Sequence, residues 1–262
     1  VYSSNKPTPA EITETGRILL DNVLAENGVQ EIISNPIRKA HLVVAKSNGL
    51  TASENKFVQG AGLLSSFVRN KISRKLLRSQ YERFIFQPQS SDLTISDPDE
   101  FSTTITYLTE DNLKDALLAS GSIPMVMQGI QNISHCPTGM YRDGGIIDYH
   151  FDVKIHNPGL VLYPHFSQTL KAGWFDKSSS RMVREENYDN VVVLCPTHSF
   201  VNSLPYRKIP DRTDFTDLES AARIDYWQQV LKQSEQLAHS LNEIVETNAV
   251  NVIKPIKSLI SQ

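Results

Sequence analysis

The run Asp143-Gly144-Gly145 places a carboxylate ahead of two residues that have no side chain. Glycines permit positive φ and a tight turn, so a carboxylate before them can project from the end of an extended segment. Held partly out of water, such a carboxyl has a raised pKa and serves as a better base for a hydroxyl. An isolated Asp-Gly-Gly is more often only a turn, because these residue types dominate turns. Nucleophiles to serve with it are harder to find. Ser120 and Ser122 flank Gly121 before Pro124, and Ser47 precedes Asn48-Gly49. None of the three sits in the strand-turn-helix elbow that exposes a nucleophilic serine. Ser120 and Ser122 read instead as turn and helix-end residues. No Gly-x-Ser-x-Gly occurs in the 262 residues.

The elements that must position Asp143 alternate between strand and helix. Thr8-Pro9-Ala10-Glu11 is a helix start, with Thr8 as cap, Pro9 in the first turn and Glu11 completing a capping box. Ile12, Leu19, Leu20, Val23 and Leu24 follow at helical spacing, and Gly28 is read as the stop. His41 to Ala45 reads as a buried strand. A second helix is expected from Leu63 to Arg78, with Leu63, Leu64, Phe67, Val68, Ile72, Leu76 and Leu77 as its apolar stripe. Arg83-Phe84-Ile85-Phe86 and Thr103 to Tyr107 read as strands, and Thr109 to Ser120 as a short helix that Gly121 ends. Two continuous apolar runs, Gly159 to Tyr163 and Asn190 to Leu194, have the pattern of strands covered on both faces. Gly173 to Tyr188, polar and serine-rich, is expected to be a surface excursion. Thr216 and Glu219 then suggest a capping box at the head of a long final helix. The pattern predicts an α/β fold around a largely parallel sheet, in one domain spanning 1–262.

Composition narrows the function class. Charged residues make up 21% and hydrophobic residues 40%, the balance of an ordinary globular chain. A net charge of −3 gives no general reason to expect nucleic acid as a partner. Cys136 and Cys195, each beside a proline, do not make a disulfide framework, which favours a reducing compartment. No apolar run reaches the roughly 18–20 residues that span a bilayer. The chain opens on Val1-Tyr2 rather than Met, so it is expected to be N-terminally incomplete, with any signal peptide upstream. A cytoplasmic or peripheral-membrane location is expected, with secretion left open.

Ala119-Ser120-Gly121-Ser122-Ile123-Pro124, followed by Tyr141-Arg142-Asp143-Gly144-Gly145, resembles the second half of the catalytic core of patatin-like phospholipases. The resemblance extends to Asn112-Leu113, to Tyr141 through His150 and to Leu162-Tyr163-Pro164-His165-Phe166. Gly173-Trp174-Phe175-Asp176-Lys177 and Ile209-Pro210-Asp211-Arg212 with Asp214-Phe215 resemble a bacterial branch. It implies a three-layer α/β/α sandwich and a lipid acyl hydrolase working through a serine-aspartate dyad. Asp143 would be the catalytic aspartate, supported by Gly144 and Gly145, and neither cofactor nor metal is implied. In that mechanism the aspartate activates the serine, an acyl-enzyme forms, and backbone amides of a glycine-rich loop hold the oxyanion. The serine and the oxyanion loop have no counterpart between Val1 and Gln262, so this chain alone is expected to be inactive. A non-catalytic lipid- or protein-binding member of the same fold is the alternative, and a membrane adaptor a further one.

Other constellations carry less. His135, Cys136, His150, His156, His165, Cys195 and His198 match no compact metal-ligand spacing. Asp148 would either raise the Asp143 pKa by like-charge repulsion or bind backbone amides in the next turn. His150 and Asp152 are expected to shape the surroundings of the catalytic loop. Arg69, Lys71, Arg74, Lys75 and Arg78, set on an amphipathic helix, suggest peripheral contact with anionic lipid. A solvated helix face is the plainer account of the same charges.

Overall fold

The structure is a computed structural model in which residues 7–156 and 158–260 are described. They divide into two compact units: the described residues up to His156 with Lys171–Asn187, and Pro158–Leu170 with the residues from Tyr188 onward.

The first unit opens with α1 (Pro9–Leu24), whose start has the expected form: Thr8 and Glu11 make a reciprocal capping box. The helix ends at Leu24, and Gly28 begins α2 (Gly28–Ile33) rather than stopping α1. Then follow β1 (Leu42–Ser47), α3 (Lys56–Ile72), β2 (Tyr81–Gln87), β3 (Thr94–Ser96) and β4 (Thr103–Tyr107). The remainder is α4 (Leu113–Ser120), β5 (Ile130–Gln131), β6 (Met140–Asp143) and β7 (Lys154–His156). A five-stranded sheet has the order β4-β2-β1-β6-β5, and β3 pairs with β7 separately.

That sheet is mixed rather than largely parallel. Only β2 and β4 run parallel; β1 is antiparallel to both β2 and β6, and β5 to β6. The cause is the path between β1 and β2. From Ser47 the chain runs out along α3 and returns through the 3-10 helix Arg74–Ser79, so that Ser47 faces Tyr81. A hydrogen bond from the Asn48 amide to the Gln80 carbonyl (2.9 Å) closes the excursion at the end from which it left. A crossover helix that ended at the far end of β1 would have given a parallel pair.

Strand alternation sends consecutive residues to opposite faces. Val44, Phe84, Phe86 and Tyr141 pack with Leu113, Ala116, Leu118 and Ala119 of α4 and with residues of α1 and α2. Ala45 and Tyr81 lie on the other face, with Leu77, Phe101, Ile146, Ile147 and Phe175. Arg83 also belongs to that second face, where it is fully buried. Its Nε and Nη2 donate to the two Asp148 carboxylate oxygens at 2.5 and 2.7 Å, and Nη1 donates to Asp97 at 2.8 Å. Burial alone would lower the guanidinium pKa; the flanking Asp148 and Asp97 outweigh it and raise the value.

Gly173 to Tyr188 is not a surface excursion. Phe175, Asp176, Val183, Asn187 and Tyr188 are all buried. Its polar residues satisfy buried partners: Arg184 bridges Asp99 and Asp152 at 2.8 Å each, and Asn187 also donates to Asp152. Polar composition here reflects a polar interior. The basic run is likewise not one exposed face. Arg74 is buried against Asp99 (2.7 Å), while Lys75 and Arg78 both pair with Glu100.

The second unit contains a two-stranded parallel sheet of β8 (Val161–Pro164) and β9 (Val191–Leu194), none of whose residues is fully buried. Those apolar runs are therefore not covered on both faces. After α5 (His198–Ser203) come α6 (Asp214–Asp217), the long α7 (Ser220–Glu246) and the short α8 (Lys257–Ile260). The expected capping box at Thr216 is absent: Thr216 lies inside α6, and α7 starts at Ser220 with Glu219 at its N-cap and no side-chain capping hydrogen bond. Asp214 organises this region, receiving Lys208 Nζ at 2.6 Å, Trp227 Nε1 at 2.9 Å and the Asp211 amide at 3.0 Å. Among the described residues, no helix is long and apolar enough to cross a membrane.

Arg83→Met should lower unfolding stability by about 3–5 kcal/mol, since it strands Asp148 in the interior. Arg83→Met combined with Asp148→Leu should recover part of that loss, with Asp97 still left without its cation. Urea titration of both variants checks the pair.

Candidate active site

Asp143 is the last residue of β6, opposite Val44 of β1. Its amide donates to the Ser122 carbonyl at 3.2 Å, which ties the strand end to the turn after α4. Beyond it, Gly144–Ile146 forms a 3-10 turn capped by Asp143 itself: the Gly145 amide donates to Asp143 Oδ1 at 2.7 Å. Among the described residues, Asp143 Oδ2 accepts no hydrogen bond.

The glycines are required by crowding, not by left-handed backbone. Positive φ among glycines occurs at Gly49 and Gly139, and neither Gly144 nor Gly145 has it. A Cβ on Gly144 would lie 2.6 Å from the Val43 carbonyl carbon and 2.8 Å from its Cγ1. On Gly145 it would press on Asp143 Oδ1 at 3.0 Å. The first glycine lets the turn pass over β1, and the second lets the amide reach the carboxylate.

Burial pushes the Asp143 carboxyl above its ordinary value. The Gly145 amide and the positive charge of Lys177 oppose the shift without cancelling it. Lys177 Nζ lies 4.3 Å from the centre of the Tyr149 ring and 5.6 Å from that of Trp174. Tyr149 Cδ2 would be 3.8 Å from a Cβ on Gly145, so this cationic and aromatic group borders the Asp143 turn. The arrangement is a half-buried carboxyl with one oxygen held and the other open to a hydroxyl, beside a cation.

Asp148 plays neither of the roles its position suggests. Its carboxylate is held by Arg83, and it is not among the groups that move the Asp143 pKa. Ser120 Oγ donates to the Val43 carbonyl (3.0 Å) and Ser122 Oγ to the Leu118 carbonyl (2.8 Å). Both are occupied as structural hydroxyls. Ser47 is buried at the opposite end of β1, beside Tyr81 and Met140 in register. His150 stacks on Tyr149 at 4.3 Å, and its Nδ1 accepts the Lys171 amide at 2.6 Å, so it does help shape the loop. Asp152 does so through Arg184 and Asn187. Cys136 and Cys195 are free thiols.

Two contributors escape a reading of the sequence. Lys177 follows an aromatic run, but nothing in that run says it will lie near Asp143. Arg83 carried a usable signal: an arginine at the head of Phe84-Ile85-Phe86 demands a buried partner once the strand is interior. No family model, curated protein or solved structure matches the chain.

The raised Asp143 pKa has a definite sign for stability. The folded state holds this proton more tightly than the unfolded chain, so the ionised carboxylate costs stability above the folded pKa. That cost disappears as pH falls below the unfolded value of about 4. Asp143→Asn should therefore raise Tm at neutral pH, with the gain vanishing in acid; melting curves across pH check it. Gly144→Ala should lower stability by roughly 1–3 kcal/mol, the overpacking range, because the Val43 backbone cannot yield as a side chain would.

Proposed function

We propose that this chain supplies the aspartate of a patatin-like serine-aspartate lipid acyl hydrolase. The observation that carries the reading is the state of Asp143: a carboxyl whose pKa burial raises, with one oxygen fixed by the Gly145 amide and the other unengaged among the described residues. The Asp-Gly-Gly resemblance and a sheet with apolar clusters on both faces support the patatin-like three-layer arrangement.

In this reading a serine on a Gly-x-Ser-x-Gly elbow, outside the residues described, donates its hydroxyl proton toward Asp143 Oδ2 as it attacks the ester carbonyl. The serine oxygen forms the acyl bond, the alcohol leaves with a proton, and water then releases the fatty acid. Gly144 and Gly145 hold the base in place. Burial raises the Asp143 pKa, which makes the carboxylate a better base, and the positive charge of Lys177 opposes that shift. The substrate class is an acyl ester of a lipid.

Asp143→Asn, made in a polypeptide that also carries the serine elbow, should reduce ester turnover by roughly 10²–10⁴-fold, the range of a lost general base. The acid limb of the parent's kcat/KM profile should lie above the ordinary carboxylate value of about 4. Turnover indifferent to the substitution sinks the reading. Lipid binding with no turnover in either form favours a non-catalytic member of the same fold.

A further inference from the structure

Helix α3 is amphipathic in the wrong sense for a solvent-facing helix. Its buried residues are Gln59, Gly62, Ser66 and Asn70, all polar or small. Each polar one is satisfied inside. Gln59 donates to the Ser53 carbonyl and accepts the Met125 amide, at 2.9 and 3.0 Å. Ser66 Oγ lies 3.1 Å from the Tyr81 hydroxyl, and Asn70 donates to Asp176 at 2.7 Å. Gly62 lets the helix approach the Leu50-Thr51 backbone, where a Cβ would meet atoms at 2.8 Å. Of its large apolar residues, Leu63 and Phe67 pack partly inward and the others are turned outward.

Phe57, Leu64, Val68 and Ile72 are 90%, 64%, 51% and 74% exposed. At 3.6 residues per turn they fall, with Ala61, on one stripe about 22 Å long. Exposed apolar side chains scattered singly mean little, but a continuous stripe opposite a satisfied polar face marks a surface that something covers.

Charge identifies the occupant. The helix carries Lys56, Arg69 and Lys71 and no acid. Among the described residues none of these three forms an ion pair, and Arg69 donates only to the neutral Ser79 hydroxyl. A second copy packed stripe to stripe would oppose like charges across the contact, which is costly. An anionic bilayer surface meets both features. The stripe enters the acyl boundary while the lysine and arginine stems reach the headgroups.

We infer that α3 is an interfacial docking helix for anionic lipid surfaces, bound through Phe57, Leu64, Val68 and Ile72 with Lys56, Arg69 and Lys71 at the headgroups. The choice of lipid as occupant rests on the acyl-ester reading; the exposed stripe itself does not. Lys75, Arg78 and Arg74 are excluded, since their charges are already met by Glu100 and Asp99.

The test is co-sedimentation of the full chain with vesicles of ether-linked phosphatidylcholine and phosphatidylglycerol in equal parts, which no esterase can degrade. The parent should bind, and bind weakly to ether-linked phosphatidylcholine alone. Leu64→Gln with Val68→Gln should weaken binding roughly tenfold or more, as expected from the lost apolar area. Far-UV circular dichroism and Tm should stay unchanged, because both positions are exposed. Lys56→Gln with Lys71→Gln should abolish the preference for the anionic lipid. The inference is overturned if the parent binds neither vesicle, or if the Leu64/Val68 variant binds as the parent does. It is also overturned if the parent is a dimer by analytical ultracentrifugation that this variant dissociates, which would make the stripe a contact between copies. Asp143→Asn separates the two readings: it should leave vesicle binding intact whatever it does to turnover.

Discussion

The bidentate contact between Arg83 and Asp148 is the constraint on which the rest of the first unit depends. It joins the middle of the sheet to the turn that follows Asp143, inside a region from which water is excluded. Two charges taken from water regain their hydration energy only in good geometry, so any shift of the turn leaves both uncompensated. The same logic spreads outward through Asp97, Asp99, Arg74, Arg184 and Asp152. A mostly apolar interior would tolerate small slips of that loop. This one does not.

The Asp143 turn uses the opposite strategy. Asp148 is matched by a guanidinium, whereas among the described residues Asp143 has one amide and the more distant field of Lys177. A carboxyl left short of partners is unfavourable for folding and favourable for accepting a proton. The ion-paired shell next to it holds that turn in place. Gly144 and Gly145 are the sequence trace of the same crowding: a Cβ has no room at Gly144, and at Gly145 it would press on the Asp143 carboxylate.

What could be read beforehand follows how local each cause is. The α1 cap lies within four residues, Thr8 to Glu11, and is fully legible. β1, β2, β4 and the end of α4 at Gly121 were placed by short apolar runs and by glycine. Strand direction is not legible, because it depends on where the excursion between Ser47 and Tyr81 returns. The expected helix from Leu63 to Arg78 is instead α3 followed by the 3-10 helix Arg74–Ser79, and its apolar stripe is divided: Leu63, Phe67 and Leu77 pack inward, but Leu64, Val68, Ile72 and Leu76 do not. Hydrophobicity alone cannot tell a core from a face reserved for something else. Asp143 was legible as a candidate and its neighbours were not: Lys177 lies 34 positions away and reaches the site only through folding.

The Asn48–Gln80 closure also bears on how this chain could change over time. Because α3 leaves and rejoins the sheet at one end, its length is uncoupled from the pairing of β1 with β2. Residues gained or lost in the exposed parts of that excursion would shift no strand register. The entropic cost of a longer loop grows slowly, about 0.6 kcal/mol for each doubling. The segment is therefore a place where relatives can diverge in size and surface while the turn carrying Asp143 stays fixed.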